Sequence, residues 1–109
     1  MKTIHSSEEL SQLINCSQGI VAYFYNDSCA PCIALRPKVK ELIEREFNSM
    51  ELLFVNTAMF PECAASFSVF ASPTIIVFFE QKETFRVSKY VSIEELGMRI
   101  KRYYTLLFN

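Results

Sequence analysis

The stretch "NDSCAPCIALRP", Asn26 to Pro37, holds two cysteines, Cys29 and Cys32, separated by an alanine and a proline. A pair with this spacing binds zinc, forms a structural disulfide, or opens and closes as a redox switch. The β-branched and aromatic run "IVAYFY", Ile20 to Tyr25, precedes the pair and is typical of a buried strand. A helical pattern follows it. The pair is therefore predicted to lie where a strand ends and a helix begins.

This predicted position favours redox chemistry. The free N–H groups and the dipole at a helix N-terminus stabilise an anion, and a thiolate is such an anion. Because thiolates attack disulfides, Cys29 is predicted to attack and Cys32 to resolve the mixed disulfide that forms. Pro31 suits the first turn of a helix, where no N–H donor is needed. The redox switch is thus the leading hypothesis from the residues alone.

The other cysteines and the histidine bear on the zinc and structural-disulfide hypotheses. Structural zinc usually takes four ligands, commonly from two paired motifs. Cys16 and Cys63 are single and distant from the pair, and we expect them to be small packing residues. His5, the only histidine, is expected at the surface or in a cap. A chain of 109 residues, 50% of them hydrophobic, does not need a disulfide simply to stay folded. Both hypotheses are disfavoured, and no metal is predicted.

Composition and charge exclude several classes of function. The formal net charge is −1, and the charges are interspersed, so no basic stripe points to nucleic acid. Arg36, Lys38 and Lys40 follow the pair and are predicted to form a solvated helix face. No signal-peptide run opens the sequence, and no apolar stretch approaches the ~18 residues that span a bilayer. We expect a single domain over residues 1–109, a monomer located in the cytoplasm, where thiols stay reduced.

Periodicity and capping signals give the order of elements. Four strands, four helices and a further short strand at the N-terminus are predicted, with a capping box at the start of the first and last helices. Alternation early in the chain implies parallel crossovers, and two adjacent strands late in the chain imply a hairpin. The fold class is α/β, a mixed sheet of four to five strands flanked by about four helices. The predicted strands are Lys2–His5, Ile20–Tyr25, Glu51–Asn56, Thr74–Glu80 and Thr84–Val91.

Two longer stretches carry a family resemblance. "VAYFYNDSCAPCIALRPKVKELIEREF" resembles the strand, active-site turn and proline-kinked helix of the thioredoxin family, with Pro37 at the kink. "LLFVNTAMFPECAASFSVFASPTIIVFF" resembles the next strand, the short helix and the segment that carries the family's cis-proline, which falls at Pro73. The C-x-x-C alone is a moderate signal, but Pro37 and "SPT" at these distances make it specific. The resemblance covers nearly the whole chain.

The resemblance implies a thioredoxin fold and a thiol–disulfide oxidoreductase that reduces protein disulfides by dithiol exchange. Cys29 would be the exposed nucleophile and Cys32 the buried resolving thiol. No bound cofactor is expected, because the sulfurs carry the electrons. The implied partners are disulfide-containing proteins and an electron donor of the thioredoxin-reductase type.

The resemblance also implies where substrate binds. Pro73, if its peptide bond is cis, would lie against the cysteine pair. The preceding residue, Ser72, would offer backbone hydrogen bonds to an extended substrate strand. Ala30 and Pro31, between the two cysteines, would border the same site.

Departures from the family pattern concern proton transfer. "SCAPC" replaces the usual Trp-Cys-Gly-Pro-Cys, and the chain has no tryptophan. The family's buried acid falls at Tyr23 and its lysine partner at Phe54, and both are expected to be core residues. Asp27, the only aspartate, is expected at the surface. The usual proton acceptor for Cys32 is thus absent, and we expect slower resolution. A glycine beside the substrate groove falls at Lys89, so a cation is expected there.

A second hypothesis is a thioredoxin-fold protein-binding module with little or no redox turnover, because a fold does not determine a function. The apolar residues Ala30, Ile33, Phe60 and Phe70 are candidates for a docking patch, although Phe60 and Phe70 are equally compatible with burial. A glutaredoxin-like enzyme is disfavoured, because "SPTIIVFFEQK" lacks the paired glycines expected to hold glutathione.

Overall fold

Strands and helices alternate along the computed structural model, which describes residues 2–108. The two end residues of the predicted 1–109 domain therefore lie outside the described residues. The five strands and four helices of this range match the predicted number. In chain order they are β1 Lys2–Thr3, α1 Ser7–Asn15, β2 Gly19–Tyr25, α2 Ala30–Glu46, β3 Glu51–Asn56, α3 Pro61–Ser66, β4 Thr74–Phe79, β5 Lys82–Ser88 and α4 Ile93–Phe108.

The sheet is mixed, as predicted. Its strand order is β1-β3-β2-β4-β5, with β1, β3 and β2 parallel to one another and β4 and β5 antiparallel to their neighbours. Strands that run parallel need crossovers, which α1 and α2 supply, whereas β4 and β5 form a hairpin. This topology brings the carboxyl end of β2, where the cysteine pair begins, beside the start of β4.

Strand β2 lies at the centre of the sheet and is buried along its whole length. Alternate side chains of a strand point to opposite faces, so β2 contributes to two cores. Val21, Tyr23 and Tyr25 belong to the core beneath α2 and α4. Ile20 and Phe24 belong to the core beneath α1 and α3. The helices therefore cover both faces of the sheet, and the cysteine pair sits at one end of the α2 layer.

The first helix is capped in a slightly different way from the prediction. Ser6 Oγ accepts the backbone N–H of Glu9 at 3.0 Å, as the capping box requires. The Glu9 carboxylate, however, accepts the N–H of His5 at 2.7 Å instead of that of Ser6. This hydrogen bond lowers the pKa of Glu9. His5 is thus a surface residue next to the cap, as expected.

The hairpin between β4 and β5 turns earlier than predicted. The strand expected over Thr84–Val91 runs from Lys82 to Ser88. Glu80 and Gln81 form the connection with φ values of 52° and 72°. Two successive residues with positive φ match the twist of a hairpin, but they are usually asparagine or glycine. The sequence here lacks that signal, which explains the shifted boundary.

Candidate active site

The cysteine pair spans the junction of β2 and α2. Cys29 is the N-cap residue of α2, and Cys32 lies in its first turn. The two side chains form a disulfide, with their Cα atoms 5.2 Å apart. Cys29 is half-buried, whereas Cys32 is 1% exposed. The backbone N–H of Cys32 donates to Cys29 Sγ at 3.2 Å. The arrangement thus presents one sulfur toward solvent, with a helical N–H directed at it, and shields the other.

Asn26 organises the turn that precedes the pair. Its side-chain oxygen accepts the N–H of Ser28 at 2.9 Å, and its carbonyl accepts the N–H of Cys29 at 3.3 Å. Its amide group donates to Ser72 Oγ at 3.4 Å. Asn26 therefore links the cysteine turn to the segment before Pro73. Asn26 was not among the predicted site residues, although asparagine at the start of a turn is a typical signal.

The Ser72–Pro73 peptide bond is cis, and Pro73 is buried. Pro73 lines a depression of about 450 Å³ together with Pro31, which lies between the two cysteines, and with Lys38, Lys89 and Tyr90, among others. A second depression is lined by Asn26, Phe70 and Ser72, among others. The Ser72–Pro73 segment thus contributes to both depressions. Exposed Ala30 lines neither of these two depressions.

Tyr23 lies beneath Cys32. Its hydroxyl donates to the Cys32 carbonyl at 2.6 Å. Burial raises the pKa of Tyr23 to about 12, and the nearby Arg36 charge opposes that rise. Tyr23 therefore stays neutral at pH 7 and acts as a donor. It pairs in register with Phe54 on β3, and their rings meet edge to face with centroids 5.8 Å apart. Both residues are core residues, as predicted.

Arg36 departs from the prediction of a solvated helix face. Its guanidinium carbon lies 4.6 Å from the ring centroid of Tyr25 and 4.4 Å from that of Phe54. The residue is half-buried. Within residues 2–108, no carboxylate oxygen lies within 4 Å of its guanidinium nitrogens. The helix turns Arg36 toward the sheet because it follows Cys32 by four residues and so shares its face.

The other residues singled out from the sequence differ in how exposed they are. Asp27 is exposed, as expected, and accepts the side-chain amide of Asn56 at 3.3 Å. Phe70 and Ile33 are exposed, at 87% and 61%, so they remain available as a docking patch. Phe60 is half-buried and packs against His5, on the α1 side of the molecule.

The two other cysteines differ from each other. Cys63 is buried in the core, as expected, and burial raises its thiol pKa. Cys16 is exposed, so the packing role predicted for it is wrong. It is the C-cap residue of α1. Over the described chain, no three metal-binding side chains cluster closely enough to hold an ion. No helix in the described range is long and apolar enough to cross a membrane.

Comparisons with known proteins agree with this geometry. The model of the family described as Thioredoxin matches residues 2–102. The thioredoxin-like protein YdfQ of Bacillus subtilis is 27% identical over 106 residues, which cover 97% of this chain and 94% of that protein. A thioredoxin of Neurospora crassa is 31% identical over 85 residues, covering 76% and 67%. The X-ray structure of Fasciola hepatica thioredoxin superposes with a TM-score of 0.85 at 32% identity, covering 94% of this chain and 98% of that one.

Proposed function

The chain belongs to the thioredoxin family, which implies thiol–disulfide oxidoreductase activity, and we propose that it reduces disulfides of other proteins through Cys29 and Cys32. The observation that carries the proposal is the Cys29–Cys32 disulfide at the N-terminus of α2. The half-exposed sulfur of Cys29 is the one that a protein disulfide reaches. The buried sulfur of Cys32 is the one protected from other reactants.

The proposed reaction has two exchange steps. The Cys29 thiolate attacks one sulfur of the substrate disulfide, the substrate S–S bond breaks, and its other sulfur leaves as a thiolate. Cys32 then attacks Cys29 Sγ, which releases the second substrate thiolate and leaves the Cys29–Cys32 disulfide. Two electrons have passed to the substrate. A dithiol or reductase protein restores the reduced pair by the reverse exchange.

The proposed substrate site is the segment of Ser72 and Pro73. Among the residues described, none forms a hydrogen bond with the backbone N–H or carbonyl of Ser72. These groups are therefore free to pair with an extended substrate segment, as a sheet edge does. Ala30 and Pro31 would border the same segment from the α2 side. We further propose that the chain is a single-domain monomer and that it is located in the cytoplasm. The two unpaired thiols, Cys16 and Cys63, support the proposed location, where thiols stay reduced.

Substitution of each cysteine separately tests the proposed roles. Cys32→Ser should stop the reaction at the mixed disulfide and accumulate covalent complexes with a disulfide protein such as insulin. Cys29→Ser should abolish turnover and trap no complex, because the half-exposed nucleophile is gone. Complexes are counted by mass spectrometry under non-reducing conditions. Full turnover by Cys29→Ser would contradict the assignment.

A variant with both cysteines changed to serine separates the enzyme from a binding module. A module would keep its affinity for a partner in this double variant, and the unsubstituted chain would show no turnover. For the proposed enzyme, the unsubstituted chain should turn over, and the double variant should form no covalent complex.

A further inference from the structure

Arg36 holds a charge in an unusual place for this site. Its guanidinium is stacked on Phe54 and Tyr25, at 4.4 and 4.6 Å from the ring centroids, and it forms no ion pair with any residue the structure describes. A planar guanidinium over aromatic faces is held in one orientation by its attraction to the ring electrons. The charge is therefore fixed in position, unpaired and partly shielded from water.

The fixed charge acts close to Cys32. Arg36 follows Cys32 by four residues on α2, so both side chains project from the same face of the helix. The charge also lowers the pKa of Tyr23 against the effect of burial, so it is felt at the Tyr23 hydroxyl. That hydroxyl lies 2.6 Å from the Cys32 carbonyl. Tyr23 thus connects the two: it feels the charge of Arg36, and its hydroxyl is bonded to the backbone of Cys32.

A positive charge close to Cys32 would favour the second exchange step. Cys32 must become a thiolate to attack Cys29, but its burial disfavours any anion. Tyr23 stands at the position of the expected acid and is a neutral donor. A cation within about 4–6 Å favours a neighbouring anion by an amount equivalent to one to three pKa units.

We propose that Arg36 stabilises the thiolate of Cys32 and so sets the rate at which mixed disulfides are resolved. The inference rests on the proposed function and deepens it. In the resolving step, the Cys32 proton passes to water, the Cys32–Cys29 S–S bond forms, and the substrate sulfur leaves with the electron pair of the broken bond. Arg36 gains and loses no proton. It acts only through its charge and its fixed position.

Few other ionisable groups face Cys32. Tyr23 and Tyr25 come from β2, and Tyr23 is neutral below its raised pKa. Asp27 comes from the loop before α2 and is held by Asn56. Lys89 comes from the loop after β5 and lines the surface depression that Pro31 and Pro73 also line. Strand β4 offers no ionisable side chain. Of these groups, Arg36 is the cation that stacks on the core rings of Tyr25 and Phe54.

A neutral small disulfide separates the two exchange steps. The reduced chain, carrying Cys16→Ser to remove the exposed thiol, is mixed with 4,4′-dithiodipyridine in a stopped-flow instrument. The first thiopyridone is released when Cys29 attacks, at a rate proportional to reagent concentration. The second is released when Cys32 resolves the mixed disulfide, at a rate independent of that concentration. Each phase is recorded from pH 6 to 9.

Arg36→Met, which keeps an unbranched stem but removes the charge, should move only the second phase. A rise of one unit in the pKa of a thiol cuts the thiolate fraction about tenfold and raises the intrinsic nucleophilicity of that thiolate about threefold. Resolution should therefore slow about threefold at pH 7, with its pH midpoint shifted upward, and should equal or exceed the parent rate at high pH. Arg36→Lys should recover part of the effect. A loss of packing alone would slow the step at every pH.

Arg99→Met is the matched control. Arg99 stacks on Phe85 at 4.2 Å in the same manner, but it lies on α4. The substitution Arg99→Met should leave both phases unchanged. An unchanged second phase in Arg36→Met, with the same pH midpoint as the parent and a normal first phase, would overturn the inference alone. An equal effect of Arg99→Met would overturn it as well. Absence of the first phase in the parent would overturn the proposed function and the inference together.

Discussion

Lys89 occupies the left-handed region of backbone conformation, with φ of 66°. Its backbone N–H donates to the Pro73 carbonyl at 2.8 Å, so the loop after β5 is joined to the proposed substrate segment at this residue. A residue with a Cβ is disfavoured in this conformation by about 1–2 kcal/mol, whereas glycine adopts it freely. The glycine that the family resemblance implies here is therefore explained by the observed backbone.

Lys89→Gly should raise the free energy of unfolding by about 0.5–1 kcal/mol, because relief of the backbone conformation outweighs the entropy that glycine adds to the unfolded chain. Urea unfolding followed by circular dichroism measures the change. Lys89→Ala is the control, since it removes the same side chain but keeps Cβ, and should give no gain. Equal stabilisation by both variants would show that the lysine charge, and not the backbone, is responsible.

Tyr23→Phe should cost about 0.5–1.5 kcal/mol of stability near pH 7, because the hydroxyl loses its hydrogen bond to the Cys32 carbonyl. The raised pKa of Tyr23, about 12 in the fold, adds a pH signature. Its contribution is complete below the ordinary value of 10 and is lost as the pH rises toward 12. The free energy of unfolding, measured from pH 8 to 11, should thus fall less steeply in Tyr23→Phe than in the parent. Identical slopes would contradict the buried-donor assignment.

At the scale of elements, Arg86 joins β5 to the segment that leads to the cis Pro73. Its guanidinium donates to the carbonyls of Phe67 and Ser68, both at 3.0 Å, and to the Glu83 carboxylate at 2.6 and 2.7 Å. This hydrogen bonding lowers the pKa of Glu83. One side chain thus satisfies two carbonyls of the turn after α3 and fixes that turn against the sheet.

Arg86→Met should lower the free energy of unfolding by about 1 kcal/mol, a value reduced from that of buried charged hydrogen bonds because the site is partly exposed. Stability should also become less sensitive to acid, since the lowered Glu83 pKa makes the pair's contribution present at neutral pH and lost as the pH falls below about 4.5. Thermal unfolding at pH 7 and 4 tests both points. Arg45→Met, which breaks only exposed pairs with Glu41 and Glu46, should change little.

At the scale of the whole molecule, the two cores and the surface divide the four thiols into accessibility classes. Cys63 and Cys32 are each 1% exposed, Cys29 is half-buried, and Cys16 is exposed. Since the core excludes alkylating reagents unless the fold opens, the number of labelled thiols reports both redox state and folding.

We therefore expect one iodoacetamide adduct on the native oxidised protein, at Cys16. A second should follow rapidly on reduction, at Cys29, and four should form only in denaturant with reductant. Peptide mass spectrometry locates each adduct. Rapid labelling of Cys63 in the native protein would contradict the packing described for α3.

Sequence patterns predicted the architecture well because its signals are local. The apolar runs of β2 and β4 and the cap of α4 at Ser92, which accepts the Glu95 N–H at 3.2 Å, lie within a few residues. The cysteine pair was likewise found from its spacing, and Pro73 from the resemblance to the thioredoxin family. The inward turn of Arg36 was missed, because it depends on rings from two strands that meet only in the folded sheet.

The edges of the sheet carry a consequence for behaviour at high concentration. Strand β1 has only two residues, and β5 bears Lys82, Glu83 and Arg86 and is interrupted by a bulge opposite Val77 and Phe78. Short, charged or bulged edge strands prevent sheets of separate molecules from joining edge to edge. The chain should therefore stay free of fibrils and strand-paired aggregates, even though half of its residues are hydrophobic.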